Sequence, residues 1–147
     1  MIRVRLEGMQ EIEKQLEKLS VDLRENIITE GLLAGAEIVR QEATVQAPVG
    51  QRETRRKTRL KDTIVIEVGA KKQPSVRVGP NSDGFYGKFL ETGTAERFTR
   101  KKAKSTQAPK SRGILPEQPF LEPALRTSKR EAAKAAAEVI RRRLRDV

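Results

Sequence analysis

Cysteine, histidine and tryptophan are all missing from this 147-residue chain. Without cysteine there is no disulfide framework, no thiolate zinc site and no thiol nucleophile. Without histidine, the His-dependent acid–base and metal schemes fall away as well. Aromatic side chains are scarce, four Phe and one Tyr, fewer than the stacking platforms of single-strand binders require. No apolar run approaches the roughly 20 residues that span a bilayer, and no signal-peptide pattern opens the chain, so a soluble protein is expected. Hydrophobic residues make up 36% of the chain and charged ones 35%. The core is therefore expected to be modest, or shared with a partner chain. The length suits one domain, taken here as residues 1–147.

Positive charge is abundant and unevenly placed. Residues 52–61 hold six basic side chains (Arg52, Arg55, Arg56, Lys57, Arg59, Lys61) against one acid, Glu53. Residues 97–112 hold seven (Arg97, Arg100, Lys101, Lys102, Lys104, Lys110, Arg112) and no acid. Together these two windows account for the whole net charge of +11, and the remaining body is close to neutral. Both windows lack apolar periodicity. The second, with Pro109 and Gly113 as breakers, reads as a long flexible loop, and the basic loop segments are placed at 51–61 and 95–115. A charge run is usually just a solvated surface. Two runs that carry the entire imbalance point instead to an anionic contact, either nucleic acid or an acidic protein face.

The apolar pattern predicts an α+β fold: a small antiparallel sheet packed by an N-terminal helical region and a C-terminal helix. Ile2, Val4 and Leu6 alternate with polar residues as a short strand. Met9, Ile12, Leu16, Leu19 and Leu23 then recur at helical spacing, with Ser20 either separating two helices or lying within one. From there two neighbouring rows follow, Ile27-Gly31-Ala34-Ile38 and Ile28-Leu32-Gly35-Val39. Their small residues cost helix propensity but let another backbone come close, whether the sheet or a neighbouring subunit. This helix should end near Gln46, because Pro48 disfavours helix at Ala47.

Ile64, Ile66 and Val68, then Val76 and Val78, mark two strands of a hairpin joined by residues 69–74. Residues 79–84 form a strong turn signal. Residues 85–91 fit a third strand or a short helix equally well. The final helix should begin around Pro123, which suits a first helical turn; a Ser128/Glu131 capping box would start it later and is the weaker choice. Ala133, Ala136, Ala137, Ile140 and Leu144 form its inward stripe, and Arg141, Arg142, Arg143 and Arg145 favour the negative end of its dipole.

Groups suited to catalysis are few. Glu91 is the one acid in an apolar or small setting, and an ion pair with an arginine explains it better than a perturbed catalytic base. The glycines form neither a phosphate-binding loop nor a dinucleotide fingerprint. No catalytic residue, cofactor or metal is expected. The basic windows suffice for phosphate neutralisation, so a general, sequence-independent nucleic-acid binder stands as the alternative reading.

Four motifs occur in order: Ala47-Pro48-Val49-Gly50; Thr58-Arg59-Leu60-Lys61-Asp62-Thr63-Ile64; Tyr86-Gly87-Lys88-Phe89-Leu90-Glu91-Thr92-Gly93-Thr94; and Gln118-Pro119-Phe120-Leu121-Glu122-Pro123-Ala124-Leu125. In this arrangement the chain resembles the tail-completion, or head–tail joining, family of long-tailed bacteriophages. The resemblance spans most of the chain. Its departures, the insert at residues 52–57 and the long basic segment after Thr94, coincide with the charged windows.

The resemblance implies a non-enzymatic virion protein, made in the host cytoplasm, that forms a ring at the neck. Such a ring is commonly six-fold, ends the tail tube and docks to the connector below the head. The implied partners are further copies of the chain, head-completion or connector proteins and the tail tube protein, with transient contact to DNA in the channel and no membrane. It also implies structural roles for Pro48, Gly50, Tyr86, Glu91, Gly93, Thr94, Pro119, Phe120 and Pro123. Arg52, Arg55, Arg56, Lys57, Arg100, Lys101, Lys102 and Lys104 are the candidate assembly contacts.

Overall fold

Two long helices lie side by side because the residues between them are too small to hold them apart. They are α2 (Val21–Gln46) and α4 (Leu121–Arg145) in a computed structural model that describes residues 7–49, 58–70, 73–99 and 108–147. A Cβ at Gly35 would stand 2.8 Å from the carbonyl oxygen of Ala132, and one at Gly31 would stand 3.0 Å from that of Ala136. The pairing order runs Gly31 to Ala136 and Ile140, then Gly35 to Ala132, so the two helices are antiparallel. The close-packed small residues of α2 thus find their partner within the same chain, on the C-terminal helix rather than on a sheet or neighbouring subunit.

The core has two parts, one at each end of this helix pair. At one end Ile27 of α2 and Ala137 of α4 pack with Ile12 and Leu16 of a short helix, α1 (Met9–Glu17). The helix is interrupted between α1 and α2, and Ser20 takes the N-cap position of α2 without a side-chain cap bond. The start of α1 is tied to the end of α4: Arg141 Nη2 donates to the Glu7 carbonyl at 2.8 Å. At the other end Ala43, Ala47, Leu60, Ile64, Phe120 and Ala124 form a second cluster, with Val78, Tyr86, Leu90 and Leu121 against it. Phe120, Ile27 and Thr63 are the largest fully buried side chains, in keeping with a modest core. α2 ends at Gln46, and Ala47 is already extended before Pro48.

Antiparallel structure comes as two separate hairpins. β1 (Ile64–Val68) pairs with β2 (Val76–Pro80) in the register Ile64–Pro80, Ile66–Val78, Val68–Val76. Gly79 and Pro80 complete β2, and the turn itself falls at residues 81–84. There the Asn81 carboxamide oxygen accepts from the backbone N–H groups of Asp83 and Gly84. Gly84 sits directly on the buried Thr63 hydroxyl, leaving no room for a Cβ. Residues 85–91, ambiguous from periodicity, fall mostly in a short helix, α3 (Gly87–Thr92).

The second hairpin corrects the sequence reading. Residues 97–113 were expected to be a loop, yet both ends of that segment are strand: β3 (Thr94–Phe98) pairs with β4 (Ser111–Leu115). Register shifts interrupt the pairing between Thr94 and Phe98, and nearly every residue of the two strands is exposed. With neither a buried face nor regular alternation, these strands leave no period-2 signal to read.

α4 begins at Leu121, so Pro123 does lie in its first turn and the Ser128/Glu131 capping box is unused. The Ser128 hydroxyl instead donates to the Ala124 carbonyl at 2.6 Å. The buried stripe of α4 is Ala124, Ser128, Ala132 and Ala137, with Ala133 only half-buried. The expected strand at Ile2, Val4 and Leu6 lies outside the described residues, and no helix among those described is long and apolar enough to cross a membrane.

Candidate assembly interface

Glu91 holds two parts of the molecule together. Its carboxylate oxygens accept backbone N–H bonds from Phe120 at 2.8 Å and from Leu121 and Glu122 at 3.0 Å each. These are donors without intrahelical partners at the start of α4, which has no side-chain cap of its own. A carboxylate placed there satisfies the orphan N–H groups and complements the positive end of the helix dipole. Among the described residues no arginine pairs with Glu91; its partners are the backbone N–H groups at the start of α4. Partial burial raises the Glu91 pKa, but the N–H bonds from Phe120, Leu121 and Glu122 outweigh it and hold the carboxyl below its usual value. That direction keeps Glu91 ionised and is opposite to the upward shift that poises a carboxylate as a general base.

The same contact brings two of the sequence motifs together. Gln118 N–H donates to the Leu90 carbonyl at 2.6 Å, so residues 118–122 run alongside the end of α3. Phe120 then drops into the core between α2 and β1, fully buried. Tyr86 is half-buried against that cluster, its ring meeting Phe85 edge-on at 6.1 Å. Pro119 is exposed and Pro123 half-buried in the first turn of α4. Pro48 is half-buried just beyond α2, whereas Gly50 lies outside the described residues.

Beyond α3 the chain turns outward. Gly93 takes φ +68° and ψ 179°, a conformation essentially reserved for glycine, and a Cβ there would crowd the Leu115 carbonyl and Glu117 N–H at 3.1 Å each. Thr94 follows, its hydroxyl accepting from Leu115 N–H at 3.2 Å. These contacts form the root of the β3–β4 arm. Past the root, β3 and β4 pack on each other and not broadly on any other element. Phe98 is 59% exposed and Ile114 69% exposed. Arg97, Lys110 and Arg112 are all on the surface of the arm. A two-stranded hairpin of this kind is marginal in water by itself and gains stability by lying against something else.

The match to known families decides what kind of protein carries this arm: residues 10–93, more than half of the chain, match the family described as Bacteriophage HK97-gp10 tail-component. The chain belongs to the HK97-gp10-like family of bacteriophage tail components. No curated protein and no solved structure matches it. For this tail component, the matched span runs from α1 to the Gly93 turn, so it includes Glu91. The arm and α4 follow after it.

All eight candidate assembly residues (Arg52, Arg55, Arg56, Lys57, Arg100, Lys101, Lys102 and Lys104) lie outside the described residues. The flanking members of the two basic windows are described: Arg59, Arg97, Lys110 and Arg112 are exposed, and Lys61 is half-buried. Among the described residues no group of acidic side chains is arranged to hold a metal ion. Sequence reasoning missed the arm's strands and the Glu91 cap. The isolated Glu91 followed by Gly93 was the one available signal, and it identified an unusual site without disclosing the donors.

Proposed function

We propose that this tail component is a non-catalytic ring subunit at the head–tail junction, where it ends the tail tube and joins it to the connector below the head. The observation that carries the reading is membership of a phage tail-component family. The exposed arm supports it, since a subunit that completes its packing only on assembly can carry an element with no core of its own. Contact between one surface of each copy and a different surface of the next closes into a ring when the rotation permits. A six-fold ring matches the resemblance noted in the sequence.

In this reading the basic segments at 52–61 and 97–112 are assembly arms, meeting acidic faces of adjacent subunits or rings. Protein contact is preferred to DNA contact, because a cationic lining around the lumen would retard DNA passing through it. Folding and assembly occur in the host cytoplasm, and the ring resides in the virion.

Two measurements test this. Light scattering on the purified chain, with and without tail tubes, should give a discrete ring mass. A monomer that binds DNA with steeply salt-dependent affinity would instead mark a general nucleic-acid binder. Reversing the charge of Arg100, Lys101 and Lys102 should block head–tail joining while the chain still folds. Normal joining by that variant would refute the role given to the arms.

A further inference from the structure

The ring reading leaves open which surface receives the arm, and charge distinguishes two grooves beside the helix pair. α2 and α4 enclose a groove of about 390 Å³ on one side of their pairing, lined by Ile38, Gln41, Glu42 and Val45 from α2 and by Thr127 and Glu131 from α4. The α2 residues follow one another at spacings of three, one and three, so they line a single helix face. Val45 is 80% exposed, the most exposed large apolar residue described. The charged residues lining this groove, Glu42 and Glu131, are both acidic, and neither is ion-paired among the described residues.

The larger groove beside α1 differs. It mixes Glu11 and Glu138 with Arg141, Arg142 and Arg145, so it offers no single charge to a basic partner. The arm carries the complement of the acidic groove: Arg97, Lys110 and Arg112 are exposed on it, as are Phe98 and Ile114, while its one described acid, Glu96, accepts a hydrogen bond from the Ser111 hydroxyl at 2.6 Å. The segment between the strands adds four more basic residues and no acid.

We infer that the β3–β4 arm of one copy docks in the α2–α4 groove of the next, setting Ile114 against Val45 and Ile38 and the arm's arginines against Glu42 and Glu131. The inference rests on the ring reading and specifies its interface. The contact is heterologous, since arm and groove are different surfaces, so each copy gives one and receives one. Apolar residues at the centre with charges around them give such a contact both its burial and its register.

The absence of native cysteine makes the contact directly testable. Ile114→Cys and Val45→Cys, both at highly exposed positions, are introduced into the full chain singly and together. Under mild oxidation the double variant should form a ladder of covalent multimers ending at the ring mass. The two single variants, mixed, should form a cross-linked dimer and nothing larger, whereas neither alone should cross-link. Glu42→Lys with Glu131→Lys should raise the concentration needed for assembly on the order of tenfold or more, and Arg97→Glu with Arg112→Glu in the same chain should restore it.

A ring mass by light scattering without the arm-to-groove cross-link overturns this inference and leaves the ring reading standing. Cross-linking confined to monomers, as an arm folding onto its own groove would give, overturns the inference too. So does self-cross-linking of Val45→Cys alone. A chain that stays monomeric at every concentration, with and without tail tubes, overturns both.

Discussion

Replacing Glu91 separates the charge of the α4 cap from its shape. The carboxylate accepts three backbone N–H bonds at 2.8, 3.0 and 3.0 Å. A single hydrogen bond to a charged group contributes about 1.5–3 kcal/mol, but the three share one partly solvated carboxylate and do not add. Loss of a helix cap costs about 0.5–2 kcal/mol by itself. Glu91→Ala should therefore destabilise the chain by about 2 kcal/mol. Glu91→Gln, which keeps one acceptor oxygen and loses the charge, should cost about 1 kcal/mol. At this chain length each kcal/mol lowers Tm by about 2–4 °C, so Glu91→Ala should melt about 4–8 °C early.

The same substitutions predict a pH dependence. The Glu91 carboxyl in the folded chain lies below its ordinary value of 4.5. Its stabilising contribution is thus fully present above that value and is lost as pH falls through the depressed folded one. The Tm difference between wild type and Glu91→Ala should hold from neutral pH down to about pH 5 and narrow in stronger acid. Calorimetry or circular dichroism across a pH series reads both effects. Two results would refute the reasoning: variants within about 0.5 kcal/mol of wild type, or a Tm difference unchanged in acid.

Three further substitutions probe other contacts. Gly35→Ala gains about 1 kcal/mol of helix propensity, but its Cβ would stand 2.8 Å from the Ala132 carbonyl oxygen; a net loss of about 1–2 kcal/mol in urea unfolding is expected, because a backbone atom in a packed helix pair cannot step aside. Gly93→Ala should lose about 1–3 kcal/mol by forcing a side chain into a conformation reserved for glycine, and should also weaken assembly, measured by light scattering, because Gly93 sets the direction of the arm. Phe120→Ala should lose about 3–5 kcal/mol, since the ring is fully buried between α2 and β1; unchanged stability to urea would count against its place in the core.

Sequence and structure agree where one residue's pattern carries its own physical meaning. The β1–β2 alternation, the end of α2 before Pro48 and the first turn of α4 at Pro123 were all legible, because each depends on local periodicity or on proline's backbone. The need for close packing at Gly31 and Gly35 was legible as well. Its partner was not, since small residues state only that something comes near.

The arm shows the same limit more sharply. β3 and β4 are paired strands with exposed faces and an interrupted register, so their residues follow no periodic pattern. Composition by itself determined that this chain has no thiol or imidazole chemistry and that its excess charge sits in two short windows. Only the tertiary structure decided that Glu91 serves the N–H groups at the start of α4, some 30 residues further on, and that an acidic groove and a basic arm occupy different surfaces of one molecule. The physical reason is common to both: hydrogen-bond partners and facing charges are set by which distant segments the fold brings together, and a linear pattern does not contain that pairing.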